Sequence, residues 1–110
     1  MTDMRTSPTD SATPGVLRAA AHMGALIRRA RLARSMTQAE LAVRARSSPA
    51  TVMRVEKGSV DTGLGTVLSM MEQLGLLGHV TAIADPTTQA LLDHKDRKRA
   101  RRSQAANLDF

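Results

Sequence analysis

The chain has no cysteine, no tryptophan and no tyrosine, and its single phenylalanine is the last residue, Phe110. Without cysteine there are no disulfides and no thiolate metal sites, and His22, His79 and His94 stand too far apart to form a ligand spacing. No metal or cofactor is therefore expected. Without aromatic residues the core must be built from Leu, Ile, Val, Met and Ala, a set that favours packed helices, because strands are enriched in aromatic and β-branched residues. No apolar run reaches the roughly 18 to 20 residues that span a bilayer, and the first fifteen residues lack the apolar stretch of a signal peptide. The expectation is a cytoplasmic protein of one small domain with tails.

What is present is positive charge, unevenly spread. Residues 16–58 carry nine Lys/Arg against two Glu, whereas residues 59–87 carry three acids and no base. Residues 88–110 turn basic again, with six bases and three acids, and the whole chain has a formal charge of +6. Concentration of charge on the first half of the domain suits a surface that meets a polyanion, although a solvated basic face has the same composition.

Residues 1–15 are rich in Thr, Ser, Pro and Asp and read as a disordered segment. A first helix is predicted over residues 16–34, with Met23, Ile27 and Ala30 at helical spacing; Ser35 ends it and Met36 packs beneath the next element. Thr37 is the expected N-cap of a second helix, with Glu40 completing a capping box and Leu41, Ala42 and Ala45 facing inward. Ser48 and Pro49 read as N-cap and first residue of a third helix, which buries Val52 and Val55 and runs to Lys57, where Gly58 stops it. A fourth helix is predicted over residues 64–74, with Leu64, Val67, Leu68, Met71 and Leu74 on one face, and the Met70/Met71 pair reads as core packing. Residues 78–86 contain "HVTAIA", which fits either a short strand, alternating Val80, Ala82 and Ala84, or a short helix closing the core. Asp85 and Pro86 end that element, and residues 87–110 read as a flexible basic tail. The fold class is all-α, with four to five helices and an optional short strand.

The helix pair in "TQAELAVRAR" and "SSPATVMRVEKG" resembles the helix-turn-helix of the Cro/CI-like, or XRE, family of DNA-binding regulators. Thr37, Gln38, Glu40, Leu41 and Ala42 match its first helix, and Ser48, Thr51, Val52, Val55, Glu56 and Gly58 its second. The likeness extends over residues 23–77 and implies a lambda-repressor-like domain, here residues 16–77, whose second helix enters the major groove, roughly 12 Å wide. On that helix Pro49, Ala50, Met53 and Arg54 point outward, with a core position as the alternative for Met53. Ala50, Thr51 and Met53 suit thymine methyls, and Arg54 or Lys57 suits guanine edges or phosphates. By the resemblance Gln38 grips the DNA backbone, and Arg46, Ser47 and Ser48 add phosphate contacts. Glu40, Glu56 and Arg31 read instead as ion-pair residues between helices. Two positions depart from the family pattern: Arg46 stands where Gly is usual, which strains a left-handed turn, and Ser47 replaces an aliphatic residue.

Such modules bind as dimers, and a strand at 78–86 pairing with its copy through Val80, Ala82 and Ala84 is one way to form one. The layout is similar to that of HipB-like antitoxins, whose partners are HipA-like serine/threonine kinases. HipB closes with an Asn-Leu-acid-aromatic sequence, and this chain ends Asn107, Leu108, Asp109, Phe110. The resemblance implies that Asn107, Leu108 and Phe110 dock in the toxin. An XRE regulator without a toxin is the nearest rival; an enzyme is not expected, since no nucleophile, base and oxyanion donors assemble from these residues. The basic run at 95–102 reads as a DNA-backbone or partner contact, against a merely solubilising segment.

Overall fold

A computed structural model describes residues 8–108, and every element among them is helical. The elements are α1 (Pro8–Ser11), α2 (Pro14–Ala33), α3 (Gln38–Arg44), α4 (Pro49–Glu56), α5 (Leu64–Gln73), α6 (Leu77–Thr81) and α7 (Pro86–Leu108). All four prolines of the chain are first residues of helices, Pro8, Pro14, Pro49 and Pro86. At that position the missing N–H has no intrahelical partner to lose, and the ring already holds a helical φ. In three cases the preceding side chain caps the helix: the hydroxyls of Thr13 and Ser48 accept from the backbone N–H groups of Val16 and Thr51, and the Asp85 carboxylate accepts from that of Thr88. Thr37 caps α3 by accepting from the Glu40 N–H, as its sequence predicts.

Ile27 of α2, Leu41, Ala42 and Ala45 at α3, Val52 and Val55 of α4, and Met70, Met71 and Leu74 at α5 form one core, closed by Met36 from the α2–α3 connection. Met23, Ala30, Val67 and Leu68 border it as expected. Leu64 does not: it is 71% exposed, because α5 rotates Met70 into the centre and leaves its first residue in solvent.

Three segments differ from the sequence reading. The first helix begins at Pro14, two residues early, and α1 adds a helical turn within residues 1–15. Residues 77–81 are helical, so the strand pairing of Val80, Ala82 and Ala84 is corrected: Val80 lies in α6, Ala82 caps it and Ala84 follows it. A lone strand would leave its backbone groups unpaired, whereas in the helix Ala82 N–H bonds to Gly78 and Val80 reaches the core edge beside Leu76. The expected flexible tail is helix α7 to Leu108, started by Asp85 and Pro86 and made largely of Ala, Leu, Arg, Lys and Gln, all good helix formers.

Candidate nucleic-acid interface

Four residues, 45–48, separate α3 from α4. Arg46 adopts φ 54°, and the turn closes with Arg46 N–H on the Val43 carbonyl at 3.2 Å and Ser47 N–H on the Ala42 carbonyl at 2.8 Å. This is the Schellman arrangement, in which a left-handed residue pairs the last carbonyls of a helix. The strain foreseen at Arg46 is therefore present, and the hydrogen bonds hold the residue there. Ser47, half-buried, contributes its backbone to the turn rather than an apolar plug.

α4 divides its residues cleanly. Val52 and Val55 are buried, while Pro49, Ala50, Met53, Arg54 and Lys57 lie exposed on the other side, with Met53 at 40%. Ser48 is exposed at the cap and Thr51 is half-buried; their hydroxyl oxygens are 2.9 Å apart, and Arg54 Nη2 donates to Thr51 Oγ1 at 3.1 Å. The outward face thus presents an apolar step, Pro49–Ala50–Met53, beside a hydroxyl and guanidinium row. Arg54 and Lys57 put two exposed cations on it, while Arg46, exposed in the turn, lines a cleft with Ser69, Glu72 and Gln73.

The angle of α4 is set from behind. Arg31 of α2, 7% exposed, donates to both carboxylate oxygens of Glu56, Nε to Oε2 at 2.6 Å and Nη2 to Oε1 at 2.9 Å, and its Nη1 donates to the Met36 carbonyl at 2.8 Å. Gln38 Nε2 of α3 donates to Glu56 Oε1 at 3.1 Å. Burial pushes the Glu56 carboxyl up, but the hydrogen bonds from Arg31 and Gln38, with the charges of Arg31 and Arg28, outweigh it and hold the group below its ordinary range. Hydrogen bonding to Glu56 raises the Arg31 guanidinium further, against the effect of its burial. Arg31 and Glu56 are the ion pair expected of them; Glu40 instead accepts from the Thr37 hydroxyl at the α3 cap.

Gln38, expected to grip DNA, stands half-buried at the first position of α3 with its amide nitrogen held by Glu56. Of the predicted residues, Pro49, Ala50, Met53, Arg54 and Lys57 share the exposed side of α4 and Ser48 is exposed at its cap, whereas Ser47 and Thr51 are half-buried, Arg46 lines the cleft with Ser69, Glu72 and Gln73, and Gln38 is tied to the brace beneath. Sequence reasoning passed over Gly24. A Cβ there would lie 2.3 Å from the Val55 carbonyl oxygen and 2.9 Å from that of Glu56, so α2 crosses the end of α4 in backbone contact. Its signal was a lone Gly inside a helix-forming run. Asn107 is exposed in the last turn of α7, where Leu108 ends the helix, and Phe110 lies outside the described residues.

No helix among the described residues is long and apolar enough to cross a membrane. A family model described as a helix-turn-helix domain matches residues 22–82, more than half of the chain. No curated protein and no solved structure matches it.

Proposed function

Because the chain belongs to the helix-turn-helix domain family, we propose that it is a sequence-specific DNA-binding repressor of transcription in which α4 reads the major groove. The observation that carries this reading is the outward face of α4: five exposed residues, Pro49, Ala50, Met53, Arg54 and Lys57, on a helix that the Arg31–Glu56 pair orients from behind. Ala50 and Met53 meet thymine methyls, Arg54 and Lys57 meet guanine edges or phosphates, and Arg46 and Ser48 meet the backbone at the helix entrance. One such helix reads a half-site, so two copies of the chain act on half-sites about 34 Å apart.

The finer reading is a HipB-like antitoxin that represses its own operon and restrains a HipA-like kinase. Its support is the sequence Asn107-Leu108-Asp109-Phe110 and the domain that precedes it. An aromatic residue beyond the core is an efficient anchor in a partner's pocket.

The test is selection of genomic fragments by the full chain and by Ala50→Glu. The wild type is expected to enrich a motif with two-fold symmetry. Ala50→Glu, with a carboxylate against the groove and an unchanged thermal transition, is expected to enrich none. The same motif from both would overturn the placement of α4. For the finer reading, a pull-down comparing the full chain with one ending at Ser103 is expected to recover a kinase with the full chain only; no kinase with either leaves a repressor without a toxin.

A further inference from the structure

α7 is 23 residues long, about 34 Å at 1.5 Å per residue, and every residue from 86 to 107 is exposed. Its six cations lie between Lys95 and Arg102 and are not spread evenly around the axis. Lys95, Lys98, Arg99 and Arg102 stand at i, i+3, i+4 and i+7, which places them on one strip. The four side chains together line one surface cleft, and none of them has a carboxylate partner among the described residues. Asp93 and Asp96 fall outside the strip by the same helical geometry. Leu91 and Leu92, 58% and 48% exposed, continue it toward the N-terminus.

We propose that this strip is a second DNA-contacting surface, which holds the phosphate backbone without reading sequence; the proposal rests on the DNA-binding reading of α4. Four unpaired cations along about 10 Å of helix face a length over which duplex DNA carries about six phosphate charges. The fit is one of charge: the strip has no acid on it and no internal use in the fold. A lipid surface asks for a broad apolar face, and two leucines do not make one. Cations at three- and four-residue spacing repel one another along a helix that no other element supports. Phosphates relieve that repulsion, so DNA binding and α7 helicity reinforce each other.

The experiment compares the full chain with the variant Lys95→Gln, Lys98→Gln, Arg99→Gln, Arg102→Gln on a short random-sequence duplex. Binding is measured between about 50 and 200 mM salt, the range over which counterion release is steep. Glutamine keeps helix propensity, and no core residue is touched. The variant's slope of log K against log salt is expected to be shallower by about 3 to 4, and adding duplex is expected to raise the 222 nm ellipticity of the wild type but not that of the variant. Equal slopes would overturn the proposal. Tighter binding of the wild type to anionic vesicles than to duplex, or recovery of an acidic protein on α7 with slopes unchanged, would overturn it as well. Ala50→Glu separates the two readings. Loss of its selected motif with a retained random-duplex slope leaves α4 and α7 in distinct roles; absence of any DNA binding by the wild type would remove both.

Discussion

Ser35, at φ 53°, and Arg46, at φ 54°, occupy the left-handed conformation that Gly58 and Gly75 fill elsewhere in the same fold. All four follow a helix end and donate their N–H to a carbonyl three residues back, with the next residue bonding five back. The geometry is thus common to four helix ends, and two of them carry a Cβ that opposes it. Ser35→Gly is expected to stabilise the chain by about 0.5 to 1 kcal/mol, seen as a higher urea midpoint with an unchanged m value. Gly24 has the opposite sensitivity. In an unencumbered helix Gly→Ala gains about 1 kcal/mol, but here the added Cβ meets the Val55 carbonyl oxygen at 2.3 Å. Gly24→Ala is expected to destabilise by about 1 to 3 kcal/mol, through forced separation of α2 and α4, in the same urea experiment. The left-handed strain at Arg46 was legible because the turn is local. Gly24 was not, because its neighbour lies 31 residues away in sequence.

At the level of elements, local capping signals mark the helix starts. Ser48–Pro49 was read as a helix start, and it is one. Thr13–Pro14 and Asp85–Pro86 carry the same signature, masked for Thr13–Pro14 by a polar segment whose composition reads as disordered and for Asp85–Pro86 by the end of the preceding element. The Asp85 carboxyl is held below its ordinary range by the Thr88 hydroxyl and by the backbone N–H groups of Thr88 and Thr87, as an N-cap acid should be. α7 has no buried face, so hydrophobic periodicity could not announce it; propensity and the cap alone make it. Asp85→Ala is therefore expected to lower the helical signal at 222 nm of the full chain, through loss of the N-cap, while leaving the cooperative melting of the packed helices in place. A lowered melting temperature for the core would show that α7 supports the domain.

Across the whole molecule, one polar cluster connects the packed helices. Arg31 from α2 and Gln38 from α3 meet at the Glu56 carboxylate of α4, while Arg31 also donates to the Met36 carbonyl of the connection, and the α3–α4 pair is held at one angle. Such a pair is costly to break singly, by about 3 to 5 kcal/mol, because the partner left behind is buried and uncompensated. The pH dependence follows from Glu56. Its folded value lies below the ordinary 4.5, so its contribution is fully present above 4.5 and is lost as pH falls through the lower folded value. Melting temperature is expected to hold from neutral pH down to about 5 and then fall. Glu56→Gln is expected to be less stable at neutral pH and to show a flatter acid limb; an unchanged acid limb would assign the effect to other carboxylates. Beyond this cluster the chain is extended: its radius of gyration is 21.6 Å, against about 13 Å for a compact domain of 100 residues, as an unpacked α7 requires.

The sequence by itself determined the all-helical class, the caps at Thr37 and Ser48, the stop at Gly58, most of the core and the outward face of α4. These depend on interactions within a turn or two of the chain, on helical spacing and on composition. Only the tertiary structure decided that residues 77–81 close the core as a helix, that α2 touches α4 at Gly24, and that Gln38 is drawn into the Arg31–Glu56 pair. Each of these depends on which distant backbone or charge lies across a helix crossing, and that placement exists only once the helices have packed.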